Sequence, residues 1–424
     1  MRFKALKNRE IFTIFCLFCL CIFSINLAIS YHKYQIFMDK GEQELTATVI
    51  SNYEKLGDDG KKRQILKLKT DEFLFYTLGA KTDDFKAGDN IFLSVINLDV
   101  SFKDYLASSF YMPSFSREKL PQKATQNINQ KLQLLIYAQH ENSKISQLYS
   151  ALFLGTSIDG KLRDDVSHLG IAHLIAISGY HLGFISAVIF FVFRPLLKFL
   201  YARFLPFRNY NFDLAIIVFI VLSFYFFIIG FVPSFLRAFL MSILGFYCTL
   251  KGVKILNFKT LFIVALVSIS LFPQLLFSVG FYFSLMGVFY IFLYFKHLKD
   301  KFSPFIHLIL LNLYVCFAME ICVLYFFPLI SLQQLSVLAI NYIFSVFYPL
   351  SAALHIASYG DIFDGLLNNV LNFRLSSTKI FVPAIIFIFY NIASLLAIKF
   401  RSIFYILPLF GLLCFAIASY KIYA

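Results

Sequence analysis

The sequence predicts a membrane α-helical bundle of about eight to ten transmembrane helices, with a small extracytoplasmic β-barrel domain inserted after the first helix. Three observations carry this expectation. Of 424 residues, 59% are hydrophobic and 15% charged, where soluble domains run near half apolar and about a quarter charged. The apolar residues come in long runs, and many runs reach the roughly 20 residues that a helix needs to cross a hydrocarbon core about 30 Å thick. One long polar stretch, residues 31–165, interrupts the pattern after the first apolar run.

Arg2, Lys4, Lys7 and Arg9 precede an apolar run from Ile11 to Ser30. A secretory signal peptide has a shorter apolar core and a small-residue cleavage site. Ala28-Ile29-Ser30 leaves cleavage open, but the length fits an uncleaved anchor over residues 1–30 better. The basic flank places the N-terminus in the cytoplasm, so the polar part emerges on the outer face.

Within residues 31–130, Glu44 to Glu54 alternates like a strand, with Leu45, Ala47 and Val49 on one side. Asp58-Asp59-Gly60 reads as a hairpin turn, and Ile65–Lys69 and Phe73–Tyr76 as further strands. Lys86-Ala87-Gly88-Asp89 then turns into Ile91–Val95. Several short strands joined by Gly/Asp turns suggest a small barrel of the OB type. Residues 131–165 form an amphipathic or interfacial helical segment, with apolar residues at helical spacing from Leu132 to Phe153. Such a helix can lie along a membrane surface.

Residues 166–424 are a polytopic membrane domain. Expected spans are 171–193, 212–230, 234–250, 259–273, 275–295, 305–328, 333–357, 380–398 and 402–420. Counting them alternately from a cytoplasmic N-terminus puts three basic clusters inside: Arg194 to Arg208, Lys251 to Lys259, and Lys296 to Lys301. The same count puts Lys399 and Arg401 outside, so one segment between 333 and 398 is expected to be re-entrant.

Composition says less about function. Phe (55) and Tyr (25) are abundant, which suits aromatic-rich membrane helices, but an AT-rich genome produces the same bias. The net charge of +14 follows first from topology signals and only second suggests an anionic ligand. All seven cysteines sit in apolar segments. The cluster Cys16, Cys19 and Cys21 lacks His or acidic helpers, so no metal and no other cofactor is expected. No phosphate-binding Gly-rich Lys-Ser/Thr loop is present, so any driving force for transport is external.

Polar residues at the entry of a membrane helix are costly and often mark function. Here His173, Ser178 and His181 lie in His173-Leu174-Ile175-Ala176-Ile177-Ser178-Gly179-Tyr180-His181-Leu182-Gly183. On an unbroken helix the two His would stand about 12 Å apart and about 80° round, and Ser178 about 140° from His173. A compact Ser–His arrangement therefore requires a break near Ser178-Gly179, and Gly-interrupted helices at membrane depth do line cavities. Arg237 follows Pro233 at the head of an apolar helix. A central membrane Arg costs roughly 2.5–3.5 kcal/mol on insertion scales, so it is expected to face protein or a hydrated path. A snorkelling position at the interface is the plainer alternative.

Ala151-Leu152-Phe153-Leu154-Gly155 followed by His-Leu-x-Ala-Ile-Ser-Gly-x-His-x-Gly at 173–183 closely resembles the signature of the ComEC family of competence proteins. Pro233-Ser234-Phe235-Leu236-Arg237-Ala238 resembles the family's Pro-Ser-x-x-Arg-Ala step, and Ser278 to Gly287, with Ser284, its Gly-Phe-Gln-Leu-Ser-like segment. There Tyr282 stands where Gln is usual. Asn341 and Pro349 match a later Asn…Pro helix, and Phe102 to Ser108 the segment closing the outward OB-like domain.

The resemblance implies an inner-membrane channel for single-stranded DNA during natural transformation, and not an enzyme. His173, Ser178, Gly179, His181 and Arg237 would belong to the DNA path, with Gly155, Gly183, Pro233, Ser284, Asn341 and Pro349 as motif positions. Its implied partners are single-stranded DNA and the lipid bilayer, plus a separate DNA receptor, helicase or nuclease, and it leaves room for a homo-oligomer. Larger members carry a metallo-β-lactamase-like domain; no His-x-His-x-Asp-His string occurs here, so strand degradation is expected to fall to another protein. Two other classes remain: a secondary transporter of a small solute, and an intramembrane hydrolase using Ser178 with a His.

Overall fold

The computed structural model of the protein describes residues 8–56, 62–70, 73–79, 85, 88–97, 99–108, 110–120, 128–205, 207–230, 232–250 and 257–423. It divides into two compact units. One comprises Met1–Lys131, Ser157–Gly160 and Phe262–Phe281; the other comprises Leu132–Thr156, Lys161–Leu261 and Tyr282–Ala424.

In the first unit, helix α1 (Asn8–Asp39) runs 32 residues, about 48 Å at 1.5 Å per residue. That exceeds a hydrocarbon core of about 30 Å. The surplus turns pack Tyr34, Phe37 and Met38 onto the sheet core, and the Tyr34 hydroxyl donates to the Val100 carbonyl at 2.8 Å. Strands β1 (Glu42–Leu56), β2 (Lys62–Lys69), β3 (Leu74–Gly79) and β4 (Asn90–Ile96) precede a short helix α2 (Phe102–Ala107), then β5 (Phe110–Tyr111) and β6 (Ser114–Lys119). Their order in the sheet is β5-β3-β2-β1-β4-β6. Every pairing is antiparallel except the parallel β3–β5. Period-2 alternation explains the core: Ala47, Val49, Leu66, Leu68, Phe75, Ile91, Leu93 and Val95 are all buried, on one face of the pleat.

The expected barrel is not closed. Six strands form a small mixed sheet in which no backbone ladder joins β5 to β6. Pro113, between them, has no N–H to offer a ladder. Side chains bridge β3 and β6 instead: the Thr77 and Ser114 hydroxyls bond at 2.7 Å, and Arg117 donates to the Leu78 carbonyl. The predicted turn at Asp58-Asp59-Gly60 and residues Lys86-Ala87 lie outside the described residues.

The amphipathic segment is two helices, α3 (Ile128–Tyr137) and α4 (Ser143–Leu154), rather than one. Asn142 ends the continuity by accepting the Lys144 N–H at 2.9 Å, as an N-cap does. Helices α5 (Gly160–His168) and α6 (Ala172–Ile175) follow. Then come α7 (Gly179–Phe204), α8 (Tyr210–Ile229), α9 (Pro233–Leu250), α10 (Phe258–Leu271), α11 (Val279–Leu298) and α12 (Pro304–Phe326). Strand β7 (Ile330–Ser331), α13 (Val337–Ile356), α14 (Asp364–Asn372), β8 (Ser377–Thr378), α15 (Ala384–Leu396) and α16 (Arg401–Tyr423) complete the chain. Among the described residues, eight helices are long and apolar enough to cross a membrane; α10 and α15 are apolar but shorter. The span expected at 171–193 starts at Gly179 and continues to Phe204.

The misfit of Lys399 and Arg401 has a structural cause. Strands β7 and β8 pair, Ile330 with Thr378 and Ser331 with Ser377. The chain therefore leaves at Leu332 and returns at Ser376 to the same place, whatever α13 does between. Helices α11 and α15 consequently run parallel: Tyr282 bonds Asn391 at 2.8 Å, Tyr290 bonds Ser394 at 2.8 Å, and His297 bonds the Ala397 carbonyl at 2.9 Å. Lys399 and Arg401 thus sit at the same end of the bundle as Lys296.

Candidate polar path in the helical unit

The break that a compact site requires is present. Helix α6 stops at Ile175 and α7 starts at Gly179, with Ser178 as N-cap. The Ser178 hydroxyl accepts the Tyr180 N–H at 3.3 Å, and His181 Nδ1 accepts the Ser178 N–H at 3.1 Å. The pair is a capping box with His in the position where Glu or Gln is usual. The Ser178 hydroxyl stands 3.4 Å from the same Nδ1, which the backbone already occupies. His181 is fully buried, and the Tyr348 ring packs edge-on against it at 4.6 Å. The arrangement is a helix start locked by its own side chains.

The other motif residues gather round this break. Pro233 opens α9, where its fixed φ suits a first helical turn. The Ser234 hydroxyl donates to the Ile177 carbonyl at 2.5 Å, taking up an acceptor that the break frees. Gly155 ends α4 at φ +68, and a Cβ there would meet Ile177 at 3.1 Å and Val232 at 3.5 Å. Gly serves both needs: a left-handed cap and a close approach. Gly183 has open space around its Cα, with nothing within 4 Å of a built Cβ.

Arg237 lies buried on α9 beside Gly179, its Nη2 3.7 Å from where a Gly179 Cβ would stand. Its Nε donates to the Ser284 hydroxyl of α11 at 2.5 Å. A guanidinium has five N–H donors, and among the described residues no carboxylate pairs with this one. A buried cation with donors to spare is the natural counterpart of a passing anion.

His173 belongs to a separate polar chain. Asn312 Nδ2 on α12 donates to the Leu338 carbonyl at 2.8 Å, which fixes its amide orientation. Asn312 Oδ1 then accepts from Asn341 Nδ2 at 2.8 Å, and Asn341 Oδ1 faces His173 Nε2 at 3.1 Å. His173 therefore donates from Nε2, and α6, α13 and α12 are tied together. Tyr180 extends the tie by donating to the Ser345 carbonyl of α13 at 3.0 Å. Pro349 lies inside α13, one residue beyond Tyr348.

The family comparison bears on this region. The competence protein family model matches residues 152–420. The chain belongs to the competence (ComEC) family. The match runs from α4 to α16 and so includes both polar groups of this competence-family unit. No curated protein and no solved structure matches the chain.

Two features of the unit were not read from the sequence. Asn312 is a polar residue in a largely apolar span that also carries His307 and Glu320, and polar residues in such a span are a signal that could have flagged it. A further polar group ties α4 and α5 to the chain just after α14. Buried Asp165 accepts from Lys144 at 2.5 Å and from Arg374 Nε at 3.0 Å. Burial alone would raise its carboxyl pKa, but the hydrogen bonds from Lys144 and Arg374 outweigh it and hold the group below the ordinary carboxylate value. That tie joins residues more than 200 positions apart, so no local pattern announces it.

Proposed function

We propose that the chain conducts single-stranded DNA across the inner, or plasma, membrane during natural transformation, with the N-terminus in the cytoplasm and the sheet of the first unit outside. The observation that carries this reading is the coincidence of the family match with a run of polar groups in or beside apolar helices: buried Arg237 with Ser284 beside the α6–α7 break, and His173–Asn341–Asn312 across three helices. Phosphates need cations and bases need aromatic faces. Arg237 supplies the first, while Tyr180 and Tyr348, which pack against His181 at the start of α7, offer aromatic faces. The OB-like reading of the outer sheet belongs to the same proposal, as a surface that meets DNA before it enters.

A deletion strain tests the function. Labelled DNA should reach the cell and stay outside the inner membrane, sensitive to added nuclease after the outer envelope is opened; normal entry into the cytoplasm would refute the reading. Orientation has its own test. In a variant with native cysteines replaced, Glu44→Cys should react with an impermeant thiol reagent in intact cells or spheroplasts, and Lys399→Cys only after the membrane is broken. The reverse pattern would invert the proposed topology.

A further inference from the structure

Away from the path, the turn between α3 and α4 clasps the end of α13 and the start of α14. Gln139 Nε2 donates to the His355 carbonyl at 3.1 Å, and the Gly360 N–H donates to Gln139 Oε1 at 3.0 Å. A Cβ on Gly360 would meet that oxygen at 2.6 Å and the His355 ring at 2.9 Å, so the chains are as close as backbone allows. Inside this clasp His140 Nδ1 lies 2.9 and 3.0 Å from the two Asp364 oxygens. His140 Nε2 lies 3.0 Å from His355 Nε2, and His355 Nδ1 lies 2.7 Å from the Ser351 carbonyl. The Tyr149 ring stacks on His140 at 4.8 Å, and the His140 side chain is wholly shielded from solvent.

The partners fix where the protons are. A backbone carbonyl only accepts, so His355 Nδ1 carries a proton. An ionised Asp364 only accepts, so His140 Nδ1 carries one too. If both rings were neutral, two bare Nε2 lone pairs would then face each other at 3.0 Å, which is repulsive. One further proton between them turns the repulsion into a charge-assisted hydrogen bond, and Asp364 neutralises the resulting imidazolium.

We propose that His140 and His355 form a binding site for one proton, shared between their Nε2 atoms, which locks α13 to the α3–α4 turn. The consequence for the unit lies in what else α13 carries. Asn341 near its start bonds His173, and Tyr348 in its second half covers His181. A proton at the far end of the same helix therefore holds the partner of His173 and the cover of His181 in place, and its loss frees the helix that carries them. The other titratable groups facing the pair are Asp364 from α14 and Tyr149 from α4. Glu141 and Lys144 flank the turn, Lys144 being held by Asp165, and Asp361 opens the turn before α14. Burial, then the Asp364 charge, push the Tyr149 phenol well above its ordinary value, so it stays neutral. Among the described residues no group of three or more His, Cys, Asp or Glu could hold a metal ion.

The test uses the full chain in nanodiscs with 15N-labelled histidine. The expected spectrum shows a 15N–15N coupling across an Nε2–H···Nε2 bond that disappears in both His140→Gln and His355→Gln. Raising the pH from about 6 to about 9, across and beyond the ordinary histidine range, should abolish it. Over the same interval amide exchange in 364–372, corrected for intrinsic rate, should rise roughly tenfold or more, as a local opening would give. In His355→Gln the amide N–H donates to neutral His140 without an extra proton, so the rise should shrink to about twofold or less. Absence of the coupling at every pH in the wild-type protein would overturn the proposal, as would its loss on adding a chelator. An equal exchange rise in His355→Gln would overturn it as well.

Discussion

Arg237→Ala should lower transformation about 10- to 100-fold per molecule of membrane-inserted protein. The estimate follows from one charge-assisted hydrogen bond to a phosphate, worth about 1.5–3 kcal/mol, at roughly 1.4 kcal/mol per tenfold in rate. Arg237 is buried, spends one donor on Ser284 and has no carboxylate partner among the described residues. Arg237→Lys should restore only part of the activity, because Lys keeps the charge and loses the planar fork. Ser284→Ala should be milder than Arg237→Ala, since it removes the anchor and leaves the cation. A purely structural Arg237 gives a different pattern: the Ala variant would accumulate poorly while each inserted molecule works normally. Transformation frequency normalised to membrane protein amount separates the two outcomes.

Gly411→Ala should be the most destabilising small substitution in the helical unit. Helices α12 and α16 run parallel and meet at this position, where an added Cβ would strike the Phe317 carbonyl oxygen and come within 3.1 Å of the Glu320 Cβ. A backbone carbonyl cannot rotate aside, so the helices must separate. Separation would disturb the buried cluster of Tyr314, Ala318, Ile321, Phe404 and Leu407. Overpacking costs typically about 1–3 kcal/mol, and rigid backbone places this site at the upper end or beyond. Gly183→Ala is the matched control, with nothing within 4 Å of its built Cβ; it should be neutral or stabilising by up to about 1 kcal/mol through helix propensity. Thermal unfolding in detergent measures both, and equal melting temperatures for the two variants would contradict the packing assigned to Gly411.

What the sequence made legible, and what it hid, follows the range of the interactions. Apolar runs with basic ends mark the membrane helices because bilayer thickness is a local constraint, satisfied within one segment. The alternation of Ala47 and Val49 in β1 reveals a strand for the same reason. The helix break at Ser178 was readable because His173 and Ser178 point to different sides of an unbroken helix, although the break pairs Ser178 with His181 and leaves His173 on Asn341. The open edge of the sheet was less readable: it depends on Pro113 lying between two strands whose pairing is set by distant partners. Likewise, the return of the chain at Ser377 rests on pairing with Ser331, and the His140–His355 contact spans 215 positions. His140 carries no local signal of its role, because its partners Asp364 and His355 are supplied by a different part of the chain.

The central claim is that DNA passes the helical unit beside the α6–α7 break. A photo-crosslinking amino acid placed at Gly183, where the structure leaves space, tests it during uptake of labelled DNA whose trailing end is too bulky to enter. A second placement at Phe191, a residue of α7 that is 85% exposed, serves as the outward-facing reference. The account predicts a strong DNA adduct at position 183 that Arg237→Ala removes, and little or none at 191. Equal labelling at both positions, or an adduct at 191 alone, would contradict it.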